Sequence, residues 1–268
     1  MSFHGKVVLI TGASSGIGAA CAEYFAKEGA LLALVGRNAE RSARVAEKIK
    51  QCGVKVAPLV ILADISVDSK RIINETIAKY GRLDILINNA GFSIPGTIEN
   101  TTAEDFDSVM GTNVRGTFLL TQLAVPYLIA TKGNIVNVSS VVGLRAFEGI
   151  LAYATSKAAL DQFSRCIALE LASKGVRVNT VNPAVIDTNF HTIEFGFARS
   201  TSEFVATRQS HAEMHPIGRY GQTEEVVAAI AFLANESAGF VTGVNLPIDG
   251  GFSIKSPLGG DPTKLWKS

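Results

Sequence analysis

Tyr153 and Lys157 stand four residues apart in Tyr-Ala-Thr-Ser-Lys. In a helix that interval puts both side chains on one face, so they can act on one ligand. A phenol titrates near ~10 in water. A neighbouring ammonium and a cationic ligand ring both favour the phenolate, which brings the hydroxyl within reach of proton transfer. Upstream lies Ser139-Ser140, with Ser140 thirteen residues before the tyrosine at the close of an apolar run. A serine hydroxyl there can polarise the carbonyl oxygen on which the tyrosine would act. Tyr-x-x-x-Lys alone is common on solvated helix faces. This one follows a strand end, where open α/β sheets bind their ligands.

A second group of residues points to a phosphate-bearing ligand. The run Val7–Ile10 leads into Thr11-Gly12-Ala13-Ser14-Ser15-Gly16-Ile17-Gly18, and a helical pattern follows at once. A strand, a glycine-rich turn and a helix N-terminus present backbone N–H groups and a positive dipole end, and missing Cβ atoms let a pyrophosphate come close. That chemistry asks for a dinucleotide, although Gly-x-x-x-Gly-x-Gly departs from the generic Gly-x-Gly-x-x-Gly spacing. The next strand ends in Val35-Gly36-Arg37-Asn38, with no acid to hold the ribose 2′-hydroxyl of NAD. Gly36 leaves space and Arg37 offers a fixed cationic fork for a 2′-phosphate, so the expected cofactor is NADP(H). Asp64, closing the third strand, has two readings: an acceptor for the adenine amine, or the cap of the next helix.

The elements that must position these groups are written in the hydropathy pattern. Strands are expected at Lys6–Thr11, Leu31–Gly36, Val56–Ala63, Asp84–Asn88, Asn134–Ser139, Val176–Asn182 and Phe240–Pro247. Their near-continuous apolar character suits a parallel sheet covered on both faces. Helices are expected at Ile17–Glu28, Ala39–Gln51, Ser66–Tyr80, Asn113–Ala130, Leu151–Ser173 and Glu224–Ala234, several of them stopped by Gly29, Gly53, Gly81 or Gly175. Thr102 with Asp105, and Thr223 with Glu224 and Glu225, read as helix starts. Alternating strands and helices make the fold class α/β, and no linker divides the chain. We expect one domain over residues 1–256, with a substrate lid at about 189–215 and a tail at 257–268.

Composition narrows the function classes. The chain has 268 residues, 47% hydrophobic and 18% charged, and 25 Lys+Arg against 24 Asp+Glu leave a net charge of +1. Disorder and a nucleic-acid partner are disfavoured by that balance. The apolar run before Thr11 is too short for a secretory segment or a membrane span, so a cytoplasmic protein without a membrane partner is expected. Cys21, Cys52 and Cys166 form no Cys-x-x-Cys pair, and His191, His211 and His215 match no ligand spacing, so no metal is expected.

Taken together, the motifs resemble the short-chain dehydrogenase/reductase family in its NADP-preferring, one-domain form. The match runs from about Lys6 to Phe252. It comprises the Thr11–Gly18 loop, Asn88-Asn89-Ala90-Gly91, Asn113, Ser140, Tyr153 and Lys157, Asn182-Pro183 with Thr188, and the stretch Gly243 to Gly251. The resemblance implies a Rossmann-like, doubly wound seven-stranded parallel sheet and a homotetramer, or a homodimer, built from the long helices and last strand. Phe163 and Ile167 share a helical stripe in keeping with such a buried face, a pattern that an intramolecular core also produces. It also implies hydride transfer between nicotinamide and a carbonyl or alcohol carbon. Tyr153 would carry the proton, and Ser140, chosen over Ser139 by the family spacing, would hydrogen-bond the oxygen. Lys157 would bind the nicotinamide ribose and lower the tyrosine pKa, and Asn113 would begin the long helix and hold a relay water. Asn89, Gly91 and Pro183 would line the cofactor cleft, and Ile186 and Thr188 would meet the carboxamide. Ala184 stands where the family has glycine.

The substrate must come from variable segments. Phe147, Phe190, Phe195 and Phe197 suggest an apolar carbonyl such as a ketone, steroid, isoprenoid or xenobiotic, although such aromatics also serve as packing. A 3-oxoacyl thioester reductase and an NADP-binding regulatory protein without turnover are the alternatives.

Overall fold

The structure, a computed structural model, describes residues 2–188, 190 and 209–255. Seven parallel strands form one sheet: β1 Val7–Thr11, β2 Leu31–Gly36, β3 Leu59–Leu62, β4 Ile85–Asn88, β5 Asn134–Val138, β6 Arg177–Pro183 and β7 Asn245–Ile248. Their spatial order is β3-β2-β1-β4-β5-β6-β7. The order turns outward in both directions from β1 and β4, which pair as Val8↔Ile85 and Ile10↔Ile87. A crevice opens beyond the carboxyl ends of the strands at such a switch point. This is the expected Rossmann-like, doubly wound α/β fold.

Strand alternation divides the core between the two faces. Val8 and Ile10 pack with Phe25, Ile87 and Ile230 on one side. Val7 and Leu9 pack with Ile72, Leu86 and Leu120 on the other. Around the sheet lie α1 Gly16–Lys27, α2 Ala39–Gln51, α3 Ser69–Tyr80, α4 Ala103–Met110, α5 Thr117–Thr131, α6 Leu151–Ala172 and α7 Thr223–Ala234. Gly29, Gly53, Gly81 and Gly175 all take positive φ, as expected where glycine stops a helix.

Several expectations need correction. The strands at Val56–Ala63 and Phe240–Pro247 shorten to β3 and β7, because the apolar run outlasts the register with β2 and β6. Helix α7 is capped one residue before Thr223: Gln222 forms a reciprocal capping box with Glu225. Thr102 does cap α4, accepting from the Asp105 amide at 3.0 Å. Asn113 does not begin the long helix. It lies inside a π-helical segment, Gly111–Gly116, that joins α4 directly to α5. The expected strands are also less apolar than their neighbours suggested. Buried Asn88 donates to Asn137 at 2.9 Å and to Thr121 at 3.0 Å, and Asn137 donates to Ser164 at 2.7 Å, tying β4 and β5 to α5 and α6. Residues 189 and 191–208 of the expected lid, with Phe195 and Phe197, and all of the expected tail lie outside the described residues.

Candidate active site

The loop between β1 and α1 is shaped by its glycines. Gly12 and Gly16 hold φ of +65° and +52°, in the left-handed region that glycine enters without strain. At Gly18 a Cβ would collide with the Gly12 carbonyl and stand 2.5 Å from Asn89 Nδ2. Asn89 is the clasp of the loop. Its Nδ2 donates to the carbonyls of Thr11 at 3.0 Å and Gly12 at 3.2 Å, while its own amide and that of Ala90 donate to Thr11 Oγ1 at 3.0 Å. Gly12, Ser14, Ser15, Gly16 and Ile17 therefore line a cleft, with Gly18 packed behind them. The cleft holds about 600 Å³ and runs from this loop to α6. Open φ, missing Cβ atoms and the N-terminus of α1 fit a pyrophosphate.

At one end lie the carboxyl ends of β2 and β3. Gly36 has a different task from the one expected: a Cβ there would meet Ser14 Cβ and Ser42 Oγ at 3.1 Å, so glycine lets the loop and α2 close together. Asn38 caps α2, accepting from the Arg41 amide at 2.8 Å. Arg37 is exposed and reaches Asp64 Oδ2 at 3.3 Å. Asp64 Oδ1 accepts from the amide and hydroxyl of Ser66 at 2.9 and 2.7 Å, and the cap position of α3 falls to Asp68. Burial pushes the Asp64 carboxyl up, but the hydrogen bonds from Ser66 and the Arg37 charge outweigh it and hold the group below its ordinary value. Arg41, which sequence reasoning missed, lines the same end, and its buried Nε has no partner. Its position in the first turn of α2, four residues after Arg37, was the available signal.

At the other end α6 presents Tyr153 and Lys157 side by side, with the ammonium 5.5 Å from the phenol ring centroid. Lys157 is 4% exposed and donates from Nζ to the Val138 carbonyl at 2.8 Å. Burial pushes its pKa down to about 8, with Asp161 pulling the other way. Ser140 lines the cleft from the end of β5. Its hydroxyl donates to the Pro183 carbonyl at 3.3 Å and accepts from the Val142 amide at 3.4 Å. Contacts that long leave it able to turn toward a better acceptor at little cost. Ser139 turns to the helix instead, donating to the Lys157 carbonyl at 3.2 Å.

Asn113 is 1% exposed and sits behind the cleft. Its amide donates to the Phe92 carbonyl and to Ser156 Oγ at 2.9 Å and accepts from the Phe92 amide at 3.0 Å. Gly91 lies between it and Lys157, since a Cβ there would stand 3.1 Å from Asn113 Oδ1 and 3.4 Å from Lys157 Nζ. Pro183 at the end of β6, with Ile186 and Thr188 beyond it, closes the cleft, and Ile186 is bridged to Gly221. Phe190 stands 5.7 Å from the Tyr153 ring. Phe147 stacks on Phe252 at 5.4 Å, under the Arg145 guanidinium. Phe252, Phe92 and Met214 also line this end and were not singled out in the sequence, where nothing local connects them to Tyr153.

Comparison with known proteins places this geometry. The family model described as enoyl-(acyl carrier protein) reductase matches residues 12–253. An uncharacterized oxidoreductase of Thermotoga maritima is 40% identical over 94% of this chain and 98% of its own. A short-chain dehydrogenase/reductase of unknown function from Caenorhabditis elegans, solved with cofactor, superposes with a TM-score of 0.89 at 36% identity, covering 95% of this chain and 97% of that one. The 3-ketoacyl-(acyl-carrier-protein) reductase of Brucella melitensis, solved with NADH, gives a TM-score of 0.85 at 33% identity, covering 94% of this chain and 100% of that one.

Proposed function

The chain belongs to the short-chain dehydrogenase/reductase family, and from that premise we propose that it is an NADP(H)-dependent oxidoreductase acting on a small apolar ketone or its secondary alcohol. Oxidoreduction at CH–OH and C=O groups with a nicotinamide cofactor comes with the family. The observation that carries the site assignment is one cleft bearing the glycine cradle at its middle and Ser140, Tyr153 and Lys157 at its end.

The described residues fit a dinucleotide. Gly12, Ser15 and Gly16 would hold the pyrophosphate, and Arg37 and Arg41 would hold a 2′-phosphate, for which the unpartnered Arg41 Nε is a ready donor. Asp64 and Asn38 would border the adenosine, and Asn89, Gly91, Pro183, Ile186 and Thr188 the nicotinamide half. Bound there, nicotinamide supplies or accepts the hydride. Tyr153 gives its phenolic proton to the carbonyl oxygen in reduction and takes it back in oxidation. Ser140 releases its long bond to Pro183 and donates to the same oxygen, where negative charge develops. Lys157 uses one N–H on Val138 and has others for the ribose hydroxyls, and its charge favours the phenolate of Tyr153. The Asn113 amide is committed to Phe92 and Ser156, so its part in a proton relay falls to the backbone of the π-helical turn, a distortion frequent at functional sites.

Phe92, Phe147, Phe190 and Phe252 support an apolar substrate. A 3-oxoacyl thioester is the second reading, favoured by the likeness to the Brucella reductase. Initial rates over ketones, aldehydes and 3-oxoacyl thioesters decide between them: apolar ketones should give the highest kcat/KM, and thioester turnover exceeding every ketone would replace the first reading with the second. One continuous catalytic domain over 1–256, a cytoplasmic location and a homotetramer complete the proposal. Phe118 and Phe163 meet edge to face at 6.1 Å across α5 and α6, with Phe118 43% and Leu169 83% exposed, which supports a second copy covering these helices.

A further inference from the structure

Asp161 stands one turn after Lys157 on α6, and the two are 1% and 4% exposed. A buried carboxylate without partners would be expensive, so its surroundings matter. Asn182, at the end of β6, donates to both Asp161 oxygens at 3.1 and 3.0 Å and to the Ser140 carbonyl at 3.0 Å. Ser139, just past the end of β5, stands beside the carboxylate while its hydroxyl donates to the Lys157 carbonyl at 3.2 Å. The turn at 141–143 closes tightly over it, since a Cβ on Gly143 would stand 2.6 Å from Asp161 Oδ2. Asp161 is thus strapped to both strand ends that present the site, and none of its oxygens reaches the cleft.

We infer that Asp161 is a positioning residue for the proposed reaction: through Asn182 its carboxylate fixes the backbone of Ser140, and its negative charge keeps the buried Lys157 in the ammonium form. The inference rests on the oxidoreductase reading only for its kinetic consequence. Among the described residues, the titratable groups beside the pair are Tyr153, whose ring centroid lies 5.5 Å from the ammonium, and Arg165, whose charge acts on Asp161 from the same helix. From β5, β6 and the π-helical turn come Val138, Ser139, Asn182 and Asn113, none of which titrates. Burial drives Lys157 toward the neutral amine and pushes the Asp161 carboxyl up as well, while the Asn182 hydrogen bonds and the Lys157 and Arg165 charges favour the carboxylate. Asp161 opposes the loss of the ammonium, so removing its negative charge lowers the pH at which the ammonium is lost.

The test uses full-length protein labelled with 13C-lysine, in which the Lys157 Cε resonance is identified by its loss in Lys157→Met. In the unaltered protein it should titrate below an ordinary lysine, near pH 8, where burial and the opposing Asp161 charge together leave it. Asp161→Asn keeps an acceptor for Asn182 but removes the charge. The midpoint should then fall by about one pH unit or more, and the alkaline limb of kcat against pH for reduction should fall with it. Asn182→Ala, which removes the donor from both carboxylate oxygens and so favours the neutral acid, should move both in the same sense by less. An unmoved Lys157 midpoint in Asp161→Asn overturns the inference. Should Asp161→Asn not fold, an unmoved midpoint in Asn182→Ala does so. A moved midpoint without turnover in any variant or the parent would instead count against the oxidoreductase reading alone.

Discussion

In the proposed reading Arg37 and Arg41 would carry a preference for NADP(H), because both are cations at the cleft end and Asp64, the acid beside them, is already engaged by Arg37. Arg37→Asp should weaken NADPH binding by roughly 10- to 100-fold, the loss expected for charge-assisted hydrogen bonds of about 1.5–3 kcal/mol, and should improve NADH use. Fluorescence titration with both cofactors measures this, and an unchanged ratio of the two affinities would remove Arg37 from the site. At this scale the sequence was readable wherever chemistry is local. Tyr153 and Lys157 share a helix face, and Gly12 and Gly16 share a turn. Arg41 was within the same reach, four residues past Arg37. Asp161, Asn182 and Ser139 were not, because their contact joins one helix to two strands distant in the chain, and no periodicity encodes that pairing.

The glycine loop behaves as one element because Asn89 and Gly18 close it from behind. Gly18→Ala forces a methyl onto the Gly12 carbonyl and the Asn89 amide. Overpacking of this kind costs about 1–3 kcal/mol, and each kcal/mol moves a domain of this size by about 2–4 °C in Tm. Cofactor affinity should fall together with Tm. Gly53→Ala is the contrasting case: φ is +77° but nothing lies within 4 Å of the new Cβ, so only backbone strain is added and cofactor affinity should stay as it was. Differential scanning calorimetry with cofactor titration separates them, and a Gly18→Ala protein with unaltered affinity would show that the loop does not depend on this contact. The succession of strands and helices, and with it a parallel α/β sheet, followed from alternating apolar and amphipathic runs. The π-helical turn around Asn113 did not, since the helix expected to begin at Asn113 is joined to α4 through Gly111–Gly116 without a break, and no apolar periodicity marks a π-helical turn. The shortened β3 and β7 have the same origin, because hydrogen-bond register with a neighbour, and not apolar character, sets where a strand stops.

For the molecule as a whole, acid stability and assembly follow from surface groups. Glu225 accepts two bonds from Arg219, at 2.8 and 2.7 Å, and one from the Gln222 amide, which hold its carboxyl down at about 2. A carboxyl lowered in the folded state binds fewer protons than in the unfolded chain, so its contribution is present above the ordinary carboxylate value and is lost as pH falls toward about 2. Arg219→Ala should therefore flatten the acid limb of Tm against pH, and an identical limb would show that this clamp does not matter to the fold. Placing glutamate at both Phe118 and Phe163 should split the proposed tetramer without unfolding the protomer, as read by light scattering, and an unchanged mass would locate the interface elsewhere. The central claim concerns the cleft that this assembly would carry, and its most direct test is the initial rate of NADPH and NADH oxidation over a carbonyl panel, with Tyr153→Phe run beside the unaltered protein. The account predicts turnover that prefers NADPH, falls by about 10²- to 10⁴-fold in Tyr153→Phe and leaves NADPH affinity nearly unchanged. Turnover in Tyr153→Phe equal to that of the unaltered protein would contradict it.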